Sequence, residues 1–587
     1  MENNASSQST KNPAPKGEVW VWFTSLGLVL GLAMVLFLFG LILMRGFNFF
    51  WPVPVVQLEL KEDSEAVFRG NTSFAGVIAS TQERSLQEIA IEEEILVEEE
   101  EEVEADGILG QALQTISEYR VFVGSRDRYG QSFRYFRHND ILERSFPEDI
   151  IRAERRVEGD AFFFPQRIQF QDGSEVTRED ATFEDELDRV VKEGRARRSQ
   201  INRIDRREIG PINLEIRELT MDLRFLNRIE RTEGELSEAQ EAERERLTGR
   251  IAQLNEQFEL LRDKADELRE TNQSIRVFYE YADGTSGQIA IGDLFRFYYP
   301  NRLGFLQRIQ VAGIQFWEFV SGYPREANMS GGIFPAIFGT FVMTLIMSIA
   351  VTPFGVITAI YLREYAVQGP LVRSVRIAIN NLAGVPSIVF GVFGLGFFVY
   401  IMGGTIDSLF FSQAQELGTP TFGTGGILWA GLTLALLNLP VVIVATEESI
   451  SAVPRGVREG SLACGASKWQ TIQRLVIPAS LPGILTGMIL AMARGAGEVA
   501  PLMLVGVVAL APNLPVDGTF PFVHLERKFM HLGFHIYDVG FQSPDSEAAI
   551  PTVFATTLIL IALIVVLNLS AILLRNHIRK KHKGSAF

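Results

Sequence analysis

Six long apolar runs divide the chain, and each is long enough to cross a lipid bilayer. Five of them contain no charged residue, at 19–44, 333–362, 377–402, 427–446 and 551–574. One further run, 481–511, is equally apolar apart from Arg494 and Glu498. A helix needs about 20 residues to cross the hydrocarbon core of a membrane. The pattern therefore predicts a mainly α-helical integral membrane protein with six transmembrane helices.

The first two runs are separated by a polar insert, 45–326, which has a periodicity of its own. Apolar residues recur at alternating steps of three and four in two stretches between about 212 and 270, which is typical of coiled-coil seams. Gly234 offers a break between the two stretches, and Ser237 suits a helix N-cap. These signals predict an antiparallel coiled-coil hairpin.

Strand signals flank this hairpin. Apolar and aromatic residues favour strands at 55–60, 161–170 and 275–291, and the last stretch turns at Asp283-Gly284. The insert is thus predicted to be an α+β module from which the hairpin protrudes. The run Glu92–Glu104 holds nine glutamates in thirteen positions. We interpret it as a solvated stretch of like charge, with a cation-binding patch as the alternative.

The distribution of charge predicts the orientation. Lys and Arg cluster in the loops after the second and fourth runs and in the basic tail 576–587, whereas the loop 403–426 has none. Basic loops stay in the cytoplasm, so both termini, including the tail 1–18, are expected there and the insert is expected outside. Residues 45–332 hold 38 Lys+Arg against 57 Asp+Glu, which leaves 17 against 14 elsewhere. The acidity of the chain therefore belongs to the insert.

The chain lacks the residues that several chemistries need. It has no glycine-rich loop ending in Gly-Lys-Ser/Thr, so it is not expected to bind ATP by itself. Its one cysteine, Cys464, excludes a disulfide within the chain and a cysteine-based zinc site. His531 and His535 are four residues apart, but the glutamate of the zinc-protease motif is absent, and no metal site is expected. The basic residues are scattered along the chain, so no basic patch for binding nucleic acid is recognisable in the sequence.

A polar segment, 447–478, joins the fourth and fifth runs and is built as two short helices. Gly465 can adopt the left-handed conformation that ends the first of them. Ser467 and Gln470 form a capping box that opens the second. Pro478 is expected to end the segment before the membrane. The alternative is an amphipathic segment that lies on the lipid surface.

The spacing within this segment resembles the signature of ABC importer permeases: Glu-Ala-Ala, three residues, Gly, nine residues, Ile-x-Leu-Pro. Glu459, Gly465 and Pro478 match it, and Gly460 and Ser461 replace the two alanines. The resemblance implies that the segment couples the permease to a separate ATPase subunit.

Three further stretches, 331–366, 380–394 and 493–506, resemble the PstA-type permease of phosphate importers. This resemblance implies a type I importer domain over 327–575 in the bacterial inner membrane. It also implies three partners besides the lipid: a second permease subunit, a homodimeric ATP-binding subunit and an extracytoplasmic phosphate-binding protein. ATP would be bound by the partner, and no cofactor is expected in this chain.

Arg494 and Glu498 are charges within an apolar run. Placing an arginine there costs at least about 2.5–3.5 kcal/mol, and such residues normally face a cavity or a partner. Four residues apart on one helix, the two would share a face and could pair. We interpret Arg494 as a transient contact for the phosphate oxyanion, with Glu498 limiting its affinity. A purely structural ion pair is the alternative.

Two other functions stay open at this point. One is a permease for another oxyanion, such as sulfate or molybdate. The other is a membrane-anchored scaffold or sensor in which the coiled-coil insert carries the function. The charges within the membrane argue against the scaffold, because an anchor has no use for them. An enzyme is disfavoured, since no catalytic constellation is recognisable in the sequence.

Overall fold

The computed structural model describes residues 19–64, 66–68, 70–85, 115–416, 418–518 and 520–583. The predicted glutamate run at 92–104 and the tail 1–18 lie outside these residues. Six of the described helices are long and apolar enough to cross a membrane, which agrees with the predicted number. We call them spans 1 to 6: Trp22–Asn48, Phe334–Tyr365, Ser387–Phe410, Ile427–Ser451, Lys468–Gly495 and Ser546–Ile578.

Two spans differ from the prediction in their bounds. The predicted span at 377–402 is broken, because the helix Pro370–Leu382 ends before a separate helix starts at Ser387. Pro386 explains the break: it has no N–H to donate, and it disfavours helical geometry at the residue before it. The predicted span at 481–511 is wrong at both ends. Its helix starts at Lys468, within the polar segment 447–478 that we call the coupling segment, and stops at Gly495. A short helix, Ala500–Val505, follows.

Span 4 lies at the centre of the bundle and packs against spans 2 and 5. Small residues allow the backbones to approach closely, as is usual between helices in lipid. A side chain at Gly355 would collide with Val442, and one at Gly431 would collide with Ile346. Trp429 of span 4 is fully buried, and its indole N–H donates to the carbonyl of Phe422 at 2.8 Å.

The insert contains two antiparallel sheets. Their strands are β1 Val56–Leu60, β2 Ser73–Ser85, β3 Thr115–Phe122, β4 Phe133–Arg137, β5 Ile141–Ser145, β6 Ile151–Arg155, β7 Asp160–Gln169, β8 Glu175–Thr177, β9 Arg276–Glu280, β10 Ser286–Ala290 and β11 Leu294–Tyr298. The first sheet has the order β4-β3-β2-β1-β5, and the second has the order β10-β9-β7-β6-β11 with β8 paired to β7. The strand predictions are confirmed, including the β9–β10 turn, where Gly284 has φ +78°.

A helical hairpin projects from the second sheet. One arm comprises Phe183–Arg203, the π-helical turn Ile204–Ile209 and Gly210–Glu233, and the other is Glu238–Ser274. The turn is as predicted: Gly234 has φ +97°, and Ser237 caps the second arm in a capping box with Gln240. The hairpin starts at Phe183 rather than 212, and coiled-coil packing between its arms stays a prediction.

Several further helices complete the described chain, and the sequence did not predict them. The longest is Phe305–Ser321, which lies between β11 and span 2. The others are Arg126–Tyr129, Ser412–Glu416 and Leu532–Phe541, with 3-10 turns at His138–Asp140, Pro300–Arg302 and Glu326–Asn328. Two short strands, Pro324–Arg325 and Ser330–Gly331, pair just before span 2.

The insert and the coupling segment lie at opposite ends of span 2. At its first end, Phe50 and Phe319 share a buried cluster with Ile333. At its other end, Ile360 shares a cluster with Ile472 of the coupling segment. Span 2 has 32 residues, which is about 48 Å of helix. The two polar parts of the chain therefore lie at opposite ends of this candidate membrane span.

Asn301 joins three parts of the insert. Its side chain donates to the carbonyls of Val55 (2.9 Å) and Pro147 (2.8 Å) and accepts from the N–H of Val55 (2.9 Å). Asn301→Ala removes all three bonds and leaves partly buried backbone groups unpaired, at about 1–3 kcal/mol for each group. We expect the apparent melting temperature in detergent to fall by several degrees. The matched change Asn213→Ala, at an exposed helical position, should leave it unchanged; equal melting temperatures for the two variants would contradict this role.

Candidate functional site

The coupling segment has the two-helix shape that its sequence predicts. The first helix, Arg455–Ala463, ends before Gly465, which has φ +85°. The second starts at Lys468 behind a complete capping box: the N–H of Gln470 donates to the Ser467 hydroxyl at 3.2 Å, and the N–H of Ser467 donates to the Gln470 side chain at 2.8 Å. Glycine is the residue that takes a left-handed turn at no steric cost, so Gly465 sets the angle between the helices.

Pro478 does not end the segment. The helix that starts at Lys468 passes through Pro478 and continues to Gly495 as span 5. A π-helical turn, Ile472–Val476, lies immediately before the proline. This wider turn accommodates a residue that lacks an N–H and whose ring would crowd the carbonyl four residues earlier. The second coupling helix and span 5 are therefore one rod.

The segment presents an apolar surface to its surroundings. Val457, Leu462 and Trp469 are exposed, whereas Ile472 is buried. Three positions of the signature, Glu459, Gly460 and Gly465, are also exposed. Ser461 is half-buried, with its hydroxyl 2.9 Å from that of Thr471. An exposed apolar group of this kind marks an interaction surface.

An ionic brace fastens the segment to span 2. The guanidinium of Arg458 lies 3.1 Å from the carboxylate of Glu364 and donates to the carbonyls of Val453 and Ile450, each at 2.6 Å. Lys468 donates to the Glu364 carbonyl and lies 4.9 Å from the centre of the Tyr365 ring. The sequence analysis did not single out this brace. The signal that could have indicated it is the lone acidic Glu364 next to basic residues at the end of an apolar run.

A second brace joins the end of span 4 to the helix Pro370–Leu382. Arg376 lies 2.8 Å from Glu447 and also donates to the Leu362 carbonyl at 3.3 Å. The ends of spans 2 and 4 are thus tied to the same helix. Together the two braces couple the positions of spans 2 and 4 to that of the coupling segment.

Arg494 and Glu498 are brought together, although not by a shared helical face. Span 5 ends at Gly495, so Glu498 lies in the turn that follows, and the prediction of one continuous helix through both residues is wrong. The turn nevertheless returns the carboxylate to the arginine, at 3.5 Å from Arg494 Nε to Glu498 Oε1. The two side chains are 38% and 21% exposed. They border an open face of this chain rather than its interior.

The pair lies at a level about midway along spans 2 and 4. A side chain at Gly495 would collide with Met347 of span 2 and approach Asn438 of span 4. These two residues lie thirteen and eleven positions inside their helices, which corresponds to about 20 and 17 Å of helix. In a bilayer whose hydrocarbon core is about 30 Å thick, this level would be far from both surfaces.

Comparison with known proteins assigns the chain to a family. Residues 351–583 match the model described as "Binding-protein-dependent transport system inner membrane component". The probable ABC transporter permease protein YqgI of Bacillus subtilis (strain 168) is 31% identical over 45% of this chain and 85% of that protein. The phosphate transport system permease protein PstA 1 of Mycobacterium tuberculosis (strain CDC 1551 / Oshkosh) is 32% identical over 42% of this chain and 72% of that protein. The chain belongs to this family of permeases.

The similarity to PstA-type proteins confirms the resemblance predicted from the sequence motifs. Among solved structures, a methionine ABC transporter, MetNI, in an inward-facing conformation covers 45% of this chain and 98% of its own, with 17% identity and a TM-score of 0.30. That score is too low to support an argument. The family model starts at 351, so the insert of this permease lies outside it.

Asn438 is a polar residue of the permease that the sequence analysis missed. It is fully buried in span 4, and its amide N–H₂ donates to the Leu434 carbonyl at 2.9 Å and to the Met347 sulfur at 3.4 Å. Its side-chain oxygen has no hydrogen-bond partner within the described part of the chain. An unpaired buried oxygen is costly, so Asn438 supplies a free acceptor beside Gly495. An asparagine within a charge-free apolar run was the available signal.

His531 and His535 are both buried. His531 caps the helix Leu532–Phe541 by accepting from the N–H of Gly533 at 3.1 Å, and the N–H of Leu532 donates to Thr340 at 2.9 Å. No group of three or more metal-ligating side chains occurs among the described residues. Burial lowers the pKa of His531 to about 3 and that of His535 to about 4. Both imidazoles are therefore neutral near pH 7.

The Arg458 brace makes a prediction about stability. Arg458→Lys keeps the charge but loses the planar fork that serves one carboxylate and two carbonyls. We expect a loss of about 1–3 kcal/mol, because partly buried acceptors lose their donors. The measurement is thermal unfolding of the purified permease. Arg262→Lys, at an exposed pair on the hairpin, is the matched control and should cost less than about 0.5 kcal/mol. An unchanged melting temperature for Arg458→Lys would show that the brace is dispensable.

The buried histidines predict a loss of stability in acid. Above pH 6.5 neither state of the protein binds a proton at these residues, and there is no penalty. As the pH falls from 6.5 towards 4, the unfolded chain takes up protons that the folded chain refuses, so the free energy of unfolding falls by about 2 kcal/mol per histidine at pH 5. Melting temperatures of the wild type measured from pH 7.5 to 5 should show this fall.

Variants at the histidines test that explanation. His535→Asn should reduce the pH dependence by about half, since asparagine does not titrate and His531 remains. Tyr537→Phe, a change on the same helix that leaves both histidines in place, should keep the full dependence. The same slope for His535→Asn and the wild type would rule out this residue as the cause.

Proposed function

We propose that the chain is a permease subunit of an ATP-driven importer of inorganic phosphate. In this proposal the insert faces the extracytoplasmic side, and the coupling segment and both termini face the cytoplasm. The observation that carries the proposal is the continuous helix Lys468–Gly495. It joins an exposed apolar surface outside the membrane to a charged pair near its middle.

The energy would come from a separate, dimeric ATP-binding subunit. Val457, Leu462 and Trp469 offer the apolar part of its docking surface, and Glu459 offers a charge beside them. When ATP binding closes the partner, the docked segment would move with it. Because the segment is one rod with span 5, that movement would reach Arg494 without a hinge between them. Rocking of helices about a midplane site is the general scheme for such transport.

The substrate would pass along the open face at Arg494. A guanidinium offers a fixed fork of donors that suits the oxygens of phosphate. Glu498, 3.5 Å away, would compete for the same guanidinium and so keep the anion from binding too tightly. Their partial exposure leaves room for a second, similar permease on the other side of the pathway. An extracytoplasmic phosphate-binding protein would deliver the anion at the end of the bundle that carries the insert.

Phosphate is favoured over other oxyanions by the similarity to phosphate transport permeases. Glu498 supplies a chemical reason as well. Phosphate near neutral pH keeps a proton that it can donate to a carboxylate, whereas sulfate has none and would only be repelled. A repulsive group of this kind is a common source of specificity. The insert would stand outside the membrane, with its hairpin packed as a coiled coil.

The test is uptake of radiolabelled phosphate by cells that express the chain together with the partner subunits proposed above. Arg494→Ala should abolish uptake, because the anion loses its midplane donor, while the same subunits still copurify. Arg373→Ala, at an exposed position on the helix Pro370–Leu382, is the matched control and should leave uptake unchanged. Normal uptake by Arg494→Ala would remove the residue from the pathway.

Coupling and selectivity are separated by two further variants. Gly465→Val forces a β-branched side chain into a left-handed turn and should lose the copurifying ATPase. Glu498→Gln should keep the ATPase but let sulfate compete more strongly with phosphate. Uptake of sulfate or molybdate in preference to phosphate by the wild type would show that the substrate is another oxyanion. It would not contradict the proposed transport mechanism.

A further inference from the structure

The helix Phe305–Ser321 turns its apolar side away from the protein. Leu306 is 79% exposed and Trp317 is 68% exposed, and Ile309 between them is also exposed. With Gly313 they recur at steps of three and four, so they form one stripe along the helix. A helix on the surface of a soluble domain shows the opposite arrangement, with its apolar stripe towards the core.

The polar side of the same helix is held by the insert. Glu318 forms ion pairs with Arg195 at 2.6 Å and Arg296 at 3.0 Å. Gln315 donates to the carboxylate of Glu154 at 3.4 Å. These contacts fix the rotation of the helix about its axis. The outward direction of the apolar stripe is therefore imposed by the fold.

The position of the helix along the membrane normal is fixed by its packing against the ends of spans 1 and 2. Phe319 packs against Phe49 and Phe50, with ring centres 5.3 and 5.4 Å apart, directly after span 1 ends at Asn48. The same buried cluster includes Ile333, the residue before span 2. The helix thus lies where both spans leave the hydrocarbon region.

We propose that Phe305–Ser321 lies in the membrane interface, with its apolar stripe in contact with the acyl chains of the lipid. Met44 and Phe47, near the end of span 1 against which this helix packs, are exposed apolar residues as well, and a bilayer would cover them. Trp51 packs near Phe305, with ring centres 6.1 Å apart, and Trp is enriched at this depth. Amphipathic helices of this kind lie in the plane of the interface, about 5–10 Å deep. The lipid then fixes the height and tilt of the insert, whichever substrate the protein carries.

Spin-label accessibility tests this placement in the full chain, reconstituted in phosphatidylcholine–phosphatidylglycerol nanodiscs. Cys464→Ser removes the only cysteine, and Leu306→Cys then carries the label. Collision rates with oxygen, which partitions into lipid, are compared with those of a water-soluble nickel chelate. Leu28→Cys in span 1 and Leu260→Cys on the hairpin, both exposed leucines, give the lipid and water references. We expect an oxygen-to-nickel ratio at Leu306→Cys that is several-fold above that at Leu260→Cys.

Two results of the spin-label experiment would overturn the placement. A ratio equal to that at Leu260→Cys would put the helix in water. Shielding of the label from both reagents would put a protein partner on the stripe instead of lipid. A conservative variant, Trp317→Phe, gives a readout that does not depend on the label. Brominated lipid should quench the tryptophan fluorescence of the wild type more than that of this variant. Equal quenching of the two proteins would also refute the inference.

Discussion

The continuity of the helix from Lys468 to Gly495 is the constraint on which the rest of the transport domain depends. Pro478 and Pro482 lie within it, and each removes a backbone donor that lipid cannot replace. The π-helical turn at Ile472–Val476 lets the rod continue past the first proline. Its 28 residues correspond to about 42 Å. A break at Pro478 would instead place a hinge between the coupling surface and the midplane charges.

Close packing spreads any movement of this rod through the bundle. Gly487 of span 5 approaches Ala445 of span 4, and Gly483 approaches Ser449. Lipid offers no hydrophobic drive between helices, so such backbone contacts supply the association. The Ser449 hydroxyl also donates to the Ser480 carbonyl at 2.8 Å. Spans 4 and 5 therefore behave as one body near the coupling segment, and the Arg458–Glu364 brace adds the end of span 2.

Structural features with a local cause in the sequence could be predicted, whereas features that depend on distant residues could not. The thickness of the bilayer fixes the length of the spans, so their number follows from apolar length alone. Gly465 and Ser467 act on their immediate neighbours, and their turn and cap were predictable. Proline shows the limit: Pro386 separates two helices, whereas Pro478 does not, because the outcome depends on the geometry of the preceding turn and on packing. Glu364 and Arg458 are 94 residues apart in sequence, and no local pattern pairs them.

The attachment of the insert makes span 2 the link between the two sides of the membrane. The segment just before that span is bonded to the rest of the domain, since Asn328 donates to Asp538 at 2.8 Å and to the Ala509 carbonyl at 3.0 Å. Phe50 and Phe319 add the end of span 1 to the same junction. At the other end of span 2, Glu364 holds the coupling segment. A tilt of the coupling segment must therefore either stretch that ion pair or move span 2, and a moving span 2 carries the base of the insert with it. The insert is thus mechanically part of the transport domain rather than a tethered appendage.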